Sequence, residues 1–308
     1  MHLALKIDVD TYRGTREGVP RLVELLKRHG AGATFLFSLG PDHTGRAIRR
    51  ALRPGFAQKV KRTSVVEHYG VKTLLYGTLL PGPDIGRECV AELQAVRDAG
   101  FEVGVHTWDH VRWQDGVATA DAAWTQREMQ RAVDRFVEVF GAPPRVHGAA
   151  GWQMNRHAYR LTQTHGFDYA SDTRGTHPFA PLYDAEPIAC PQLPTTLPTL
   201  DELLGRDGLD ADTVVADLLA RTATPSPTGH VYTLHAELEG QKLLPTFEAL
   251  LEGWRDQGWT LASLRQYFDA LPSKDLPRCA VTTGEVDGRS GTLAMQGGEF
   301  LAEWGAAA

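Results

Sequence analysis

Asp8 and Asp10, separated by Val9, end the apolar run Leu3 to Ile7 close to the start of the chain. Residues i and i+2 of a strand point to the same side, so an extended backbone here brings two carboxylates together. Like charges at that spacing repel unless a cation or a shared proton intervenes. His106 and His110, in "HTWDH", have His-x-x-x-His spacing. On a helical turn that spacing puts two imidazoles on one face, an arrangement suited to a divalent cation. Two histidines and one carboxylate leave positions open for water and substrate. Asp10 is the expected third ligand and Asp8 the general base beside it. Asp109, inside the same motif, is the alternative ligand, although a capping or supporting role is commoner for such a residue. His235, at the end of "HVYTLH", can donate a proton to a departing nitrogen. Base, Lewis-acidic metal and acid together amount to hydrolysis at a carbonyl. The plainer reading of the first aspartates is a strand end running into a polar turn. The positions of the other residues decide between the two.

Those positions follow from a recurring unit of amphipathic helix, glycine stop and short apolar strand. "VPRLVELLKRHGAGATFLFSL", "CVAELQAVRDAGFEVGVH", "AYRLTQTHGFDYASD" and "FEALLEGWRDQGWTLASL" are four examples, with Gly30 or Gly32, Gly100, Gly166 and Gly258 as stops. Strands alternating with such helices imply βαβ units and a parallel sheet. The number of units favours a closed or nearly closed (β/α) barrel over an open doubly wound sheet. Asp8, Asp10, His106, His110, Asp172 and His235 all follow expected strands, which places them at one mouth of such a barrel, where active sites are built. His147 and His177 are expected to be structural, and Glu237 either orients His235 or faces solvent. Ser38 and Ser171 lie outside any G-x-S-x-G elbow, and no Gly-rich phosphate loop is present, so serine hydrolysis and nucleotide chemistry are disfavoured.

With 42% hydrophobic and 23% charged residues, the 308-residue chain can bury a substantial core, and its net charge of −6 argues against a general nucleic-acid binder. Cys89, Cys190 and Cys279 are far apart, which suits a reducing compartment. The first apolar run is broken by Lys6 and Asp8, unlike a signal peptide, and no stretch approaches the roughly 20 apolar residues of a membrane-spanning helix. The expected location is the cytoplasm, in solution or resting on a membrane. Residues 1–271 are expected to form the barrel domain, a distorted or incomplete (β/α) barrel, and 272–308 a short strand-containing tail that is partly ordered at most. Residues 40–86 are a long insert after the second strand. From His43 to Val66 it carries seven cations and no acid: Arg46, Arg49, Arg50, Arg53, Lys59, Lys61 and Arg62.

The Asp-x-Asp strand end, the later His-x-x-x-His and the late strand ending in histidine resemble the metal-dependent polysaccharide deacetylases, a family with an incomplete (β/α) barrel. The resemblance implies Asp8 as base, Asp10, His106 and His110 as ligands of a divalent metal (zinc, cobalt, nickel or manganese), and His235 as acid. The family's Arg-x-Pro-aromatic motif is missing, since the corresponding stretch reads "RVHGAAGWQ". Its later Asp-x-x-x-Trp is replaced by "SDTRG", so Asp172 and Arg174 are expected to supply the pair, with Arg174 either orienting Asp8 or binding sugar phosphate. "IDVDTYRGTREGVPRLVELL", "AAGW" with Trp152, "LPTTLPTLDELLGRDG" and "YTLHAELEG" with Glu237 resemble one branch, the 4-deoxy-4-formamido-L-arabinose-phosphoundecaprenol deformylases. That branch implies release of formate from an undecaprenyl-phosphate-linked aminosugar destined for lipid A, and hence resistance to cationic peptides such as polymyxin. It also gives the basic insert a use: cations at an anionic membrane each contribute about 1 kcal/mol, and Leu74 to Leu80 could meet lipid chains, on the cytoplasmic face of the bacterial inner membrane. A solvated helix and a packed loop are the alternative for the insert. No nucleic acid and no protein partner are implied. The rival activities are deacetylation of another aminosugar and, from a different class, noncatalytic sugar binding.

Overall fold

The computed structural model describes residues 1–47 and 70–300. Seven parallel strands form the main sheet: β1 (His2–Val9), β2 (Thr34–Ser38), β3 (Glu102–Thr107), β4 (Val146–His147), β5 (Tyr169–Ala170), β8 (His230–His235) and β9 (Thr260–Ala262). Their order is β5-β4-β3-β2-β1-β8, with β9 paired to the first residues of β1. The segment Gln192 to Leu197 spans the gap between the two sheet edges. Gln192 bridges to Ala170 at one end, and Thr196 N–H donates to Val231 O at 3.0 Å at the other. The barrel is therefore completed there by irregular chain rather than by a strand.

Alternation along the strands sorts the side chains. Leu3, Leu5, Ile7 and Val9 of β1, with Phe35 and Phe37 of β2, face outward into the large core beneath the helices. The helices against this core include α1 (Val19–Arg28), α2 (Val90–Asp98), α4 (Ala122–Phe140), α7 (Val214–Thr222) and α8 (Leu244–Asp256). Other helices include α3 (His110–Gly116), α5 (Arg156–Thr164), α6 (Leu200–Leu203) and α9 (Leu264–Asp269). The opposite parity faces the barrel interior. Ala4, Leu36, Val146, Val231 and Leu264 close its lower part with apolar contacts, each large side chain contributing on the order of 2 kcal/mol by leaving water. Gly104 of β3 sits among them, where an added Cβ would lie 2.4 Å from Val146 Cγ1. Above this apolar floor the same parity delivers Lys6, Asp8, Asp10, His106 and His235 to the upper mouth.

Gly30, Gly100, Gly166 and Gly258, the expected helix stops, all have positive φ, between 58° and 87°. Residues beyond 271 do more than expected. Beside β6 (Ala180–Tyr183) and β7 (Glu186–Pro187), the strands β10 (Arg278–Glu285) and β11 (Thr292–Glu299) build a second sheet in the order β11-β10-β6-β7. Position 271 is therefore no structural boundary, because β10 pairs with β6 from within the expected barrel domain. Of the expected insert, residues 48–69 lie outside the described residues, and with them Arg49, Arg50, Arg53, Lys59, Lys61 and Arg62. The flanking stretch 70–84 carries a single 3-10 turn at Thr73–Leu75 and exposes Val71, Leu79 and Leu80, Leu79 at 80%. Arg46 is tied down locally, its Nε donating to Gly77 O at 3.0 Å.

Candidate active site

The β1 register sets the site. Asp8 lies opposite Leu36 of β2 and His235 of β8, so the expected base and acid share one rung of the sheet. Asp10 follows at the corner into the next helix. Glu237 fixes that corner, accepting hydrogen bonds from Asp10 N–H (3.0 Å), Thr11 N–H (2.8 Å) and the Thr11 hydroxyl (2.8 Å). It neither faces solvent nor orients His235, as the sequence had suggested. Burial, and then the charge of Asp10, push its carboxyl well above the usual carboxylate range. The corner also packs flush on the end of β8: a Cβ on Gly18 would fall 2.0 Å from Ala236 O.

Asp10, His106 and His110 form one group whose ligand atoms all lie within 4.8 Å of one another. His106 Nε2 is 3.2 Å from Asp10 Oδ1, and His110 Nε2 is 3.3 Å from Asp10 Oδ2. Burial would raise the Asp10 carboxyl, but His110 and His106 outweigh it and hold the group below the usual carboxylate range. The "HTWDH" motif does not form a helical turn. His106 is the penultimate residue of β3 and His110 opens α3, so the two rings stack across a strand-to-helix corner, with centroids 5.4 Å apart. Asp109 is the reason: it is the N-cap of α3, accepting from Arg112 N–H at 3.0 Å, and its other oxygen pairs with His43 Nδ1 at 2.6 Å. It is thus committed to support and stays outside the ligand group.

The donor set fits a divalent cation. His106 Nδ1 donates to Gly148 O at 2.6 Å, which fixes the tautomer and leaves the Nε2 lone pair directed at the group. Asp10 Oδ1 is buried without a hydrogen-bond donor. Nitrogen and carboxylate ligands in this ratio suit zinc, cobalt, nickel or manganese.

Asp8 lies beside this group, buried, with Oδ1 3.7 Å from His106 Nδ1 and Oδ2 3.5 Å from Lys6 Nζ. His235 Nδ1 is buried without a partner, while its backbone N–H is held by Glu239 Oε2 at 2.9 Å. Asp172 and Arg174 do not form the substitute pair expected of them. Asp172 binds His147 Nδ1 (2.7 Å), Ala149 N–H (2.8 Å) and Gln192 Nε2 (3.1 Å). Arg174 binds Glu202 Oε1 (2.6 Å) and Leu197 O (3.0 Å). Each is held by partners distant in sequence, and neither makes a hydrogen bond or ion pair with Asp8 among the described residues. His147 is structural, as expected, and His177 bonds Gln296 at 2.9 Å away from the mouth.

Trp152 lies fully buried next to the site, its Nε1 donating to Thr195 Oγ1 at 3.1 Å. Lys6, Arg174 and Arg289 all sit over its indole, at 4.9, 5.1 and 4.4 Å from ring centroids. Sequence reasoning missed Lys6, Glu239 and Arg289. For Lys6 a signal existed: it is a charge at an inward-facing position of an otherwise apolar strand, in phase with Asp8 and Asp10.

This barrel, with an Asp/His/His group at its mouth, defines a class. A family model for polysaccharide deacetylase matches residues 3–170, and the chain belongs to that family. A Shewanella sediminis protein named "Probable 4-deoxy-4-formamido-L-arabinose-phosphoundecaprenol deformylase ArnD" is 37% identical over 295 residues, covering 96% of this chain and 94% of the relative. A protein of the same name from Wigglesworthia glossinidia brevipalpis is 29% identical, covering 92% of this chain and 98% of the relative. Among solved structures, a protein from Mycobacterium smegmatis assigned as a polysaccharide deacetylase superposes with a TM-score of 0.60 at 17% identity, over 92% of this chain and 96% of the other. That likeness establishes the fold.

Proposed function

We propose that the protein removes the N-formyl group from undecaprenyl-phosphate-linked 4-deoxy-4-formamido-L-arabinose, giving formate and the free aminosugar used to modify lipid A. The observation that carries this reading is the single barrel mouth where Asp8 and His235 flank the Asp10, His106 and His110 group. The 37% identity to the Shewanella deformylase supports the choice of substrate. Asp10, His106 and His110 would hold a divalent cation, which would supply Lewis acidity at the formyl carbonyl. Asp8 takes the proton of the attacking water, the C–N bond of the tetrahedral adduct breaks, and His235 protonates the leaving amine. Proton acceptor and donor stand on adjacent strands of one rung, so the substrate amide bond lies between them. The product amine is cationic, and lipid A carrying it binds polymyxin and similar peptides less strongly.

The lipid-linked substrate calls for access from a membrane surface. The exposure of Val71, Leu79 and Leu80 and the basic sequence from Arg46 to Arg62 support peripheral association with the anionic cytoplasmic face of the inner membrane. No helix among the described residues is long and apolar enough to cross a membrane. The test is formate release from the lipid-linked substrate by metal-loaded enzyme, with the N-acetyl analogue run in parallel. Formate without acetate is expected. Preferential acetate release would retain the chemistry and overturn the substrate, and reaction with neither would favour a sugar-binding protein.

A further inference from the structure

Lys6 is completely buried in the barrel interior, two residues before Asp8 and on the same face of β1. A buried ammonium is costly unless hydrogen-bonded and paired. Three features surround it: Ser171 O accepts from Nζ at 3.0 Å, Asp8 Oδ2 lies at 3.5 Å, and the Trp152 ring at 4.9 Å. Space for it is left by Gly148, whose added Cβ would lie 3.1 Å from Lys6 Cε. The indole is in turn held by the Thr195 hydroxyl and covered by Arg174 and Arg289, which share the Glu202 carboxylate. Among the described residues, the only other basic side chain within 4 Å of an Asp8 oxygen is His106, whose Nδ1 proton is committed to Gly148 O, while Arg289 acts on Asp8 from farther away.

We infer that Lys6 is the positioning residue of the reaction, its ammonium fixing the orientation of the Asp8 carboxylate toward the attacking water. The inference rests on the proposed reading of Asp8 as base. Lys6 thereby takes the place that the sequence had given to Arg174. Because Lys6 and Asp8 alternate along one strand, the pleat itself sets their separation, and no second element has to be brought into register. The backbone of Ser171 and the Trp152 plate hold the ammonium from the far side, so Asp8 is oriented by a cation that cannot follow it into the mouth.

A double-mutant cycle separates this role from a merely structural one. Lys6→Met keeps an unbranched side chain one atom shorter and removes the charge. It is expected to lower kcat about a hundredfold with KM changed less than threefold and metal content unaltered, whereas Lys6→Arg should stay within about tenfold of wild type. In an Asp8→Asn background Lys6→Met should cost little more. Thermal unfolding gives the second reading: each single change leaves one buried charge unpaired and lowers Tm, and the double variant should recover much of that loss. Additive losses in both kcat and Tm would overturn the inference, as would Lys6→Arg no better than Lys6→Met. If Asp8→Asn proves fully active, the base reading fails by itself, and the Tm cycle still decides whether Lys6 and Asp8 are paired.

Discussion

Replacing Glu239 by glutamine should make the protein markedly less sensitive to alkaline pH. Glu239 is fully buried under the end of β8, accepting the His235 backbone N–H at 2.9 Å and facing the Tyr232 hydroxyl at 3.4 Å. Burial, only partly opposed by His235, pushes its carboxyl from 4.5 up to about 7. The folded state therefore holds a proton more tightly than the unfolded chain, and its stability falls as pH rises from the unfolded value through the folded one. With 1.36 kcal/mol per pKa unit, this group has cost about 1 kcal/mol by pH 5 and about 3 kcal/mol by pH 8. The difference of roughly 2–3 kcal/mol corresponds to about 5 °C in Tm at roughly 2 °C per kcal/mol for a chain of this size. Glutamine keeps the oxygen that accepts from His235 N–H and does not ionise in this range. Differential scanning calorimetry of both metal-loaded proteins at pH 5 and pH 8 should show Glu239→Gln losing about 5 °C less than wild type between the two. Equal losses would refute the assignment of a buried, neutral carboxyl beneath His235.

Glu237→Ala strands the Asp10 N–H and both Thr11 donors in a buried corner; a loss of at least about 2 kcal/mol and weaker metal retention are expected, checked by Tm and metal content after dialysis. Gly18→Ala drives a Cβ to 2.0 Å from Ala236 O, where backbone must shift beside His235. About 1–3 kcal/mol of stability and most of the activity should go together in thermal melts and formate assays. Asp109→Ala removes the α3 cap and the His43 contact. It should cost about 1 kcal/mol and loosen metal binding about tenfold in chelator competition, since His110 opens that helix.

Much of the site was legible because strand geometry is local. Period-two alternation puts Asp8 with Asp10, and a strand ending in His235 brings an acid to the same mouth. "HTWDH" was harder to read: its spacing suits a helical face, but aspartate before His110 is also an N-cap signal, and the helix starts there. Arg174 and Asp172 were misassigned because their partners, Glu202, His147 and Gln192, come from segments that only the closed barrel brings together. The strands β10 and β11 carry weak patterns because each has only a few buried positions. Their connection nevertheless delivers Arg289 to the Trp152 ring. Lys6 stands in phase with Asp8 in the sequence, but a lysine in a strand is commonly an edge or surface residue, so the pattern alone does not mark it as buried.

The most direct measurement is formate release by Asp8→Asn with metal content verified at the wild-type level. Asparagine keeps the shape of the side chain beside His106 and Lys6 and cannot take a proton from water. The expected result is a fall of about 10²–10⁴-fold in kcat with the metal still bound. Activity within tenfold of wild type at full metal occupancy would contradict the role of Asp8 as the base at this barrel mouth.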